Sequence, residues 1–340
     1  MIYHIARNAC IRVMKEVISL RKAKIKTCVL GKSFGHQDMI SLVGPVAHWQ
    51  TEEDLLSTLW GATAEDTYHV HAEPTDQAGL AHFIRKSLGD KAVIVLDVHD
   101  SAWGAGQKAH PLEQLDLDAA DAVIVPSTVY QNRLRGTRAS IVIPSGCLVS
   151  PDDGIETGLP RLGGIVYEGG IGINDWRDYT TLFSDLSDAG VPVFCYSTSS
   201  AETVCHYHRT GVVMQFRHYR DLMVQLTRHD WALVCPPDDG NVQWDAARPN
   251  KFYESLAAGL PILTYGCKDV AEAITQSHPR VGIIFKNRAE LVEWAKGRTS
   301  PNDDWRENCR QWARDNAMMS DQVPNIIKMY EIARTVKGVK

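Results

Sequence analysis

Ala92-Val-Ile-Val-Leu-Asp-Val98 is an almost unbroken apolar run between Lys91 and His99. Its apolar residues do not alternate with polar ones, so both faces are covered, as in a central strand of a parallel sheet. The flanking sequence repeats the theme. Ala122–Pro126 is a second apolar strand, followed by Ser127 as an N-cap, a helix through Arg135 and Gly136 as its stop. Ser140–Ile143 closes the set. Upstream, Ile2–Ile5, Thr27–Leu30 and Tyr68–His71 read as strands, and Ile11–Ile25 as a helix. Strand and helix alternating in this rhythm predict a parallel sheet with helices on both faces.

The stretch Ser150-Pro-Asp-Asp-Gly-Ile-Glu-Thr-Gly-Leu-Pro160 has no periodicity and many turn formers, and reads as a linker. A second alternation follows. Gly164–Glu168, Val191–Tyr196, Val212–Gln215, Trp231–Cys235, Pro261–Tyr265 and Val281–Phe285 are strands, with helices between them such as Asp175–Ala189, ended by Gly190. From about Trp305 to Lys337 the chain reads as helical and charged. The expectation is an α/β protein of two Rossmann-like domains: 1–150, a linker at 151–162, 163–318, and a last helix in 319–340 crossing back to the first domain. A chain of 340 residues suits two cores of about 150 residues each.

Composition narrows the function classes. No apolar run reaches the roughly 18 residues of a membrane span, and Arg7, Arg12, Lys15 and Glu16 break any secretory pattern at the N-terminus. The eight cysteines are scattered without CxxC spacing, which suits reduced thiols in a cytoplasmic protein. A net charge of −5 gives no global attraction to nucleic acid or anionic lipid. One local exception is the first helix, where Arg12, Lys15, Lys22 and Lys26 form a basic stripe. It reads as a solvated face, or as a contact for lipid head groups at the inner membrane face or for DNA phosphates.

In open parallel sheets, ligands bind beyond the carboxyl ends of the strands. Three such ends carry polar residues. The first is Arg248-Pro-Asn-Lys-Phe-Tyr-Glu-Ser-Leu-Ala-Ala-Gly-Leu-Pro-Ile-Leu263, a short helix capped by Asn250 and ended by Gly259. Its free N–H groups and positive end suit a pyrophosphate. Lys251 adds a mobile charge there, and Glu254 one turn in suits two ribose hydroxyls. A capped helix with a solvated Glu–Lys surface fits the same residues. The second end is Leu96-Asp-Val-His-Asp-Ser-Ala-Trp103, where His99 and Asp100 suit sugar positioning or proton transfer at an acceptor hydroxyl, or simply hold the loop. The third is His69-Val-His-Ala-Glu-Pro74, which sends His69 and His71 to one face and places His71 and Glu73 at the strand end. Acceptor contact, loop structure and zinc ligation all fit these residues. Arg177, Arg209 and Arg217 are further cations, better read as solvated surface.

Pro249-Asn-Lys-Phe-Tyr-Glu-Ser-Leu-Ala-Ala-Gly-Leu-Pro-Ile-Leu263 resembles the donor-binding signature of GT-B glycosyltransferases, especially glycosyltransferase family 4. Three further stretches are similar: Val166-Tyr-Glu-Gly-Gly170 to the glycine turn opening the donor domain, His229-Asp-Trp-Ala-Leu-Val-Cys-Pro236 to the strand before the donor loop, and Asp121-Ala-Val-Ile-Val-Pro-Ser127 to the last acceptor-domain strand. The resemblance spans Tyr68 to the C-terminus. It implies an acceptor domain, a donor domain and a cleft between them. It also implies a metal-independent enzyme with no resident cofactor, taking a nucleoside diphosphate sugar as co-substrate and passing the sugar to an acceptor hydroxyl. It assigns Glu254 to the ribose; Asn250, Lys251, Arg248, Gly169 and Gly170 to the diphosphate; and His99 with Asp100 to the reacting centre. His71, Glu73 and Asp245 are left as substrate contacts. The family's second glutamate, eight positions before Glu254, is here Ala246. Asp238, Asp239 and Asp245 in the same loop are its candidate substitutes. The span Ile5-Ala-Arg-Asn-Ala-Cys10 also lacks the glycines common in the first loop. Other readings are glycosylation of modified DNA bases, a sugar-nucleotide epimerase, and a degenerate subunit that only binds a partner enzyme.

Overall fold

The structure is a computed structural model that describes all residues except 36, 60, 64–65, 73–77, 100, 105, 135–137, 154–157, 198, 216, 239–244, 247 and 340. The chain divides into two compact units, Met1–Leu148 with Met319–Lys340, and Val149–Met318.

The first unit is built on a parallel sheet of β1 (Ile2–Ala9), β2 (Thr27–Phe34), β3 (Val46–His48), β4 (Thr67–Ala72), β5 (Val93–Val98), β6 (Ala122–Val125) and β7 (Ala139–Val142). Its order is β3-β2-β1-β4-β5-β6-β7, so the chain winds outward from β1, returns, and winds the other way from β4. The adjacent carboxyl ends of β1 and β4 form a topological switch point, where such sheets bind ligands. Every residue of β5 is buried, as its unbroken apolar run requires. Ser127 caps the helix Thr128–Arg133 by accepting from the Tyr130 N–H at 3.3 Å. The predicted end of that helix at Arg135 and Gly136 lies outside the described residues.

The last helix, Met319–Lys337, packs on β5, β6, β7 and the helix Ile11–Lys22. It buries Ile326, Met329, Tyr330 and Ala333 against Val93, Val95, Ala122 and Ile124. Complete burial of each large apolar side chain contributes about 1.5–3 kcal/mol.

The second unit repeats the plan with β8 (Ile165–Glu168), β9 (Val193–Tyr196), β10 (Val213–Gln215), β11 (Trp231–Leu233), β12 (Ile262–Thr264) and β13 (Gly282–Ile284). Its order, β10-β9-β8-β11-β12-β13, puts the switch point between β8 and β11. Trp231 anchors one side of the core, meeting Trp294 and Trp305 edge to face at 5.1 Å each, the geometry that ring quadrupoles favour. Among the described residues, no helix is long and apolar enough to cross a membrane.

The structure refines the sequence reading in three places. The C-terminal helical stretch is two helices, Asp303–Asn316 in the second unit and Met319–Lys337 in the first, separated by Ala317 and Met318. The strand Val46–His48 was not foreseen, because three partly polar residues at a sheet edge carry no period. Half of the basic stripe of the first helix is not surface: Arg12 and Lys15 are buried, while Lys22 and Lys26 are exposed. Lys15 donates to the Gly146 carbonyl at 2.7 Å, and Arg12 is bound to acidic groups beneath the helix, so neither is offered to lipid or DNA.

Candidate functional site

Each unit carries a polar cluster at or beneath its switch point. In the first unit, the parallel register sets His4 beside His69 and His71 beside Asp97. With a side-chain period of two, His69 and His71 share a face of β4, and Asp97 and His99 share that face of β5. The helix Ile11–Lys22 lays Arg12 and Glu16, one turn apart, over it. Arg12 grips Asp97 through two bonds of 3.0 Å, donates to the Ile143 carbonyl at 3.0 Å, and stands 3.1 Å from Glu16. A bidentate guanidinium–carboxylate pair of this kind is strong and directional.

Imidazoles run on from Asp97. His99 Nε2 is 3.2 Å from Asp97 Oδ2 and 3.0 Å from His71 Nδ1, while His71 Nε2 is 3.0 Å from His4 Nδ1. His69 Nδ1 lies 2.7 Å from the Tyr330 hydroxyl of the last helix. Burial pushes His4, His69 and His71 below the ordinary histidine range. Burial alone would lower His99 too, but the Asp97 carboxylate and the Cys10 thiol outweigh it and hold His99 well above that range. Burial and the neighbouring Asp97 raise Glu16, whereas Arg12 overcomes burial to hold Asp97 well below the usual carboxylate range.

Cys10 stands at the N-cap of the helix Ile11–Lys22, with Sγ 3.5 Å from His99 Nδ1. Burial would raise this thiol, but His99 and the backbone N–H groups of Val13 and Arg12 together lower it. His99 thus stands between Cys10 and Asp97, one ring nitrogen toward each.

In the second unit, β8 ends in the turn Gly169-Gly170. Gly169 has φ +127°, a conformation that side chains rarely adopt, and a Cβ there would lie 3.2 Å from Lys251 Nζ. A Cβ on Gly170 would lie 2.6 Å from Arg177 Nη1. The two cations therefore pack directly against the glycine backbone, where a side chain would displace them. Lys251 lies over the Tyr167 ring, 3.6 Å from its centroid, and the Tyr167 hydroxyl donates to the Gly170 carbonyl at 3.1 Å. Burial lowers the Lys251 ammonium to about 8, against the opposing pull of Glu168. Lys251 is thus a held cation rather than the mobile one expected.

The helix Asn250–Ala257 begins as expected, with one change of cap. Pro249 occupies the N-cap position and offers no side-chain oxygen, and Asn250 is the first helical residue. Gly259 takes φ +77° and ends the helix. Glu254 is buried one turn in, at 5% exposure.

The remaining predicted residues are placed as follows. Arg248 is engaged by Asp269, with Nε 3.1 Å from Oδ2, and Asp245 pairs with Lys268 at 2.5 Å. His71 is only 2% exposed, with both ring nitrogens facing other imidazoles, so it offers nothing to an acceptor; the β4–β5 pairing draws it into the core. Arg177 is exposed, as the sequence marks it, stacks 4.2 Å from the Trp176 ring centroid and also lies over Gly170. Glu73, Asp100 and Asp239 lie outside the described residues. Sequence reasoning missed His4, Cys10, Arg12, Glu16 and Asp97. The signal was the two-residue spacing of histidines carried across neighbouring strands, and a helix whose charges faced a cluster of opposite charge.

No protein-family profile matches the chain, and none of the curated proteins does. Solved structures do. HepE of Anabaena, solved in complex with UDP and glucose, superposes with a TM-score of 0.69 at 11% identity over 97% of this chain and 99% of that one. Sucrose-phosphate synthase of Thermosynechococcus elongatus gives 0.65 at 13% over 98% and 100%. WaaG, a glycosyltransferase of lipopolysaccharide biosynthesis, gives 0.62 at 12% over 99% and 100%. The fold is that of the GT-B glycosyltransferases; family 4 is not singled out among them.

Proposed function

We propose that the protein transfers a sugar from a nucleoside diphosphate sugar to an acceptor hydroxyl, with the donor held on the second unit. The observation that carries this reading is the Gly169-Gly170 turn beneath Lys251 and Arg177, at the carboxyl end of β8. As the bond between the anomeric carbon and the diphosphate breaks, negative charge grows on the leaving oxygens. A helix start, the buried Lys251 and the exposed Arg177 stabilise that charge. Glu254 accepts from the ribose hydroxyls. Asn250 lies at the helix start beside the diphosphate, and Arg248 steadies that start through Asp269. In the first unit, His99 serves the reacting centre, kept in one orientation by Asp97. His71 positions His99 rather than touching substrate.

The test is thermal melting of wild type and Glu254→Ala with UDP, GDP, ADP, dTDP and CMP. A ligand at about 100 times its Kd adds about 2.7 kcal/mol to the folded state, enough to raise Tm by several degrees. One diphosphate shifting wild type and not the variant supports the donor site and gives the base. No shift from any of them at millimolar concentration overturns the assignment.

A further inference from the structure

We propose that His4, Glu16, His69 and His71 form a closed, four-ligand site for a zinc-type divalent ion in the core of the first unit. The inference concerns none of the donor residues and meets the proposed transfer reaction only at His71, whose other nitrogen faces His99.

The four side chains come from β1, the helix Ile11–Lys22 and β4, are all fully buried, and bring one ligand atom each to within 4.8 Å of one another. Three imidazoles and a carboxylate match zinc, whose bonds of about 2.0–2.1 Å make the edge of a tetrahedron about 3.3 Å. The spacings already approach that edge: His4 Nδ1 to His71 Nε2 is 3.0 Å, and His69 Nε2 to Glu16 Oε2 is 3.8 Å.

The hydrogen bonding around the cluster is completed on the outside for three of the four residues. His69 places Nδ1 on the Tyr330 hydroxyl, which leaves Nε2 buried and without a hydrogen-bond partner among the described residues. His4 turns Nδ1 inward, 3.0 Å from His71 Nε2, and its outer Nε2 has no hydrogen-bond partner among the described residues. His71 turns Nδ1 to Asp97 at 3.4 Å, and Glu16 is steadied on Oε1 by Arg12 at 3.1 Å. Metal-bound histidines have this outer ring of carboxylate and hydroxyl partners, which fix the tautomer and aim the other nitrogen inward. Asp97 balances the Arg12 charge through their bidentate pair, so Glu16 remains as the anionic ligand for the ion. With four buried protein ligands, the site has no position for a reacting water, and its role is to tie β1 and β4 to the helix above them.

The competing account is a metal-free core of imidazoles linked by shared protons. Three measurements separate the two: elemental analysis of tag-free protein grown with zinc, melting before and after chelator treatment, and the visible spectrum after loading with Co²⁺. The expected result is one ion per chain, a Tm lowered by chelation and restored by zinc, and the intense bands of tetrahedral cobalt. His4→Asn/His69→Asn is expected to take up no ion. Should that variant fail to fold, the wild-type metal content and cobalt spectrum decide alone. Trace metal with no cobalt spectrum overturns the proposal, whatever the outcome of the nucleotide panel.

Discussion

Lys251→Met tests whether the buried ammonium is kept for binding rather than for stability. The Lys251 ammonium is held at about 8 against 10.5 for a free lysine, and at about 1.36 kcal/mol per pH unit this opposes its charged form by about 3 kcal/mol. Contact with the Tyr167 face returns about 0.5–2 kcal/mol. Methionine keeps most of the stem and removes the charge. The variant is therefore expected to be about 1–3 kcal/mol more stable than wild type at pH 7. The sign of the pH dependence follows from counting protons. Between about pH 8 and 10.5 the unfolded chain keeps a proton on Lys251 that the folded chain has released. Wild-type stability therefore gains from this residue as pH rises through that window. The variant lacks that gain, so its advantage at pH 7 narrows by pH 9.5. Urea unfolding of both proteins at the two pH values measures the gap, and the nucleotide panel measures what the charge is for. A variant that is less stable at pH 7, with a gap that does not change with pH, refutes the electrostatic argument. One that still binds the diphosphate refutes the assigned role.

Other residues give sharper single outcomes. Gly169→Val forces a branched side chain to φ +127° and toward Lys251 Nζ. It is expected to cost about 1–3 kcal/mol in urea unfolding and to abolish the nucleotide-induced Tm shift. Arg12→Met leaves Asp97 buried without its bidentate partner, and is expected to lower stability by about 3–5 kcal/mol; Arg12→Met/Asp97→Asn in urea is expected to recover part of that loss. Cys10 has a lowered thiol pKa and a histidine neighbour. At pH 7 it is expected to react with iodoacetamide faster than the exposed Cys205, by peptide mass spectrometry; equal rates count against a thiolate at Cys10.

The sheets were legible because buried parallel strands are mostly apolar on both faces: β6 throughout, and β5 at all but Asp97. The helix Asn250–Ala257 was legible because a glycine stop and a proline start bracket a short apolar stripe. The cluster in the first unit was not. Arg12 and Lys15 look like a solvated stripe when the helix is read alone, since helical period reports which residues share a face but not what that face meets. Only the register of β1, β4 and β5 shows that Asp97 and three histidines lie beneath it. Arg177 is exposed as the sequence suggests, and only its place over Gly170 is a tertiary fact, since a cation in a loop carries no period.

The first unit is completed by residues from the far end of the chain, while the second is one continuous segment. On the ribosome, the second unit has its whole sequence in hand before the first does. The apolar surface of β5 and β6 waits uncovered until Ile326, Met329 and Tyr330 have been synthesised. Over that interval the nascent chain holds a half-built core that a chaperone or a neighbouring chain can occupy. Truncation before Met319 would therefore harm the first unit more than the second.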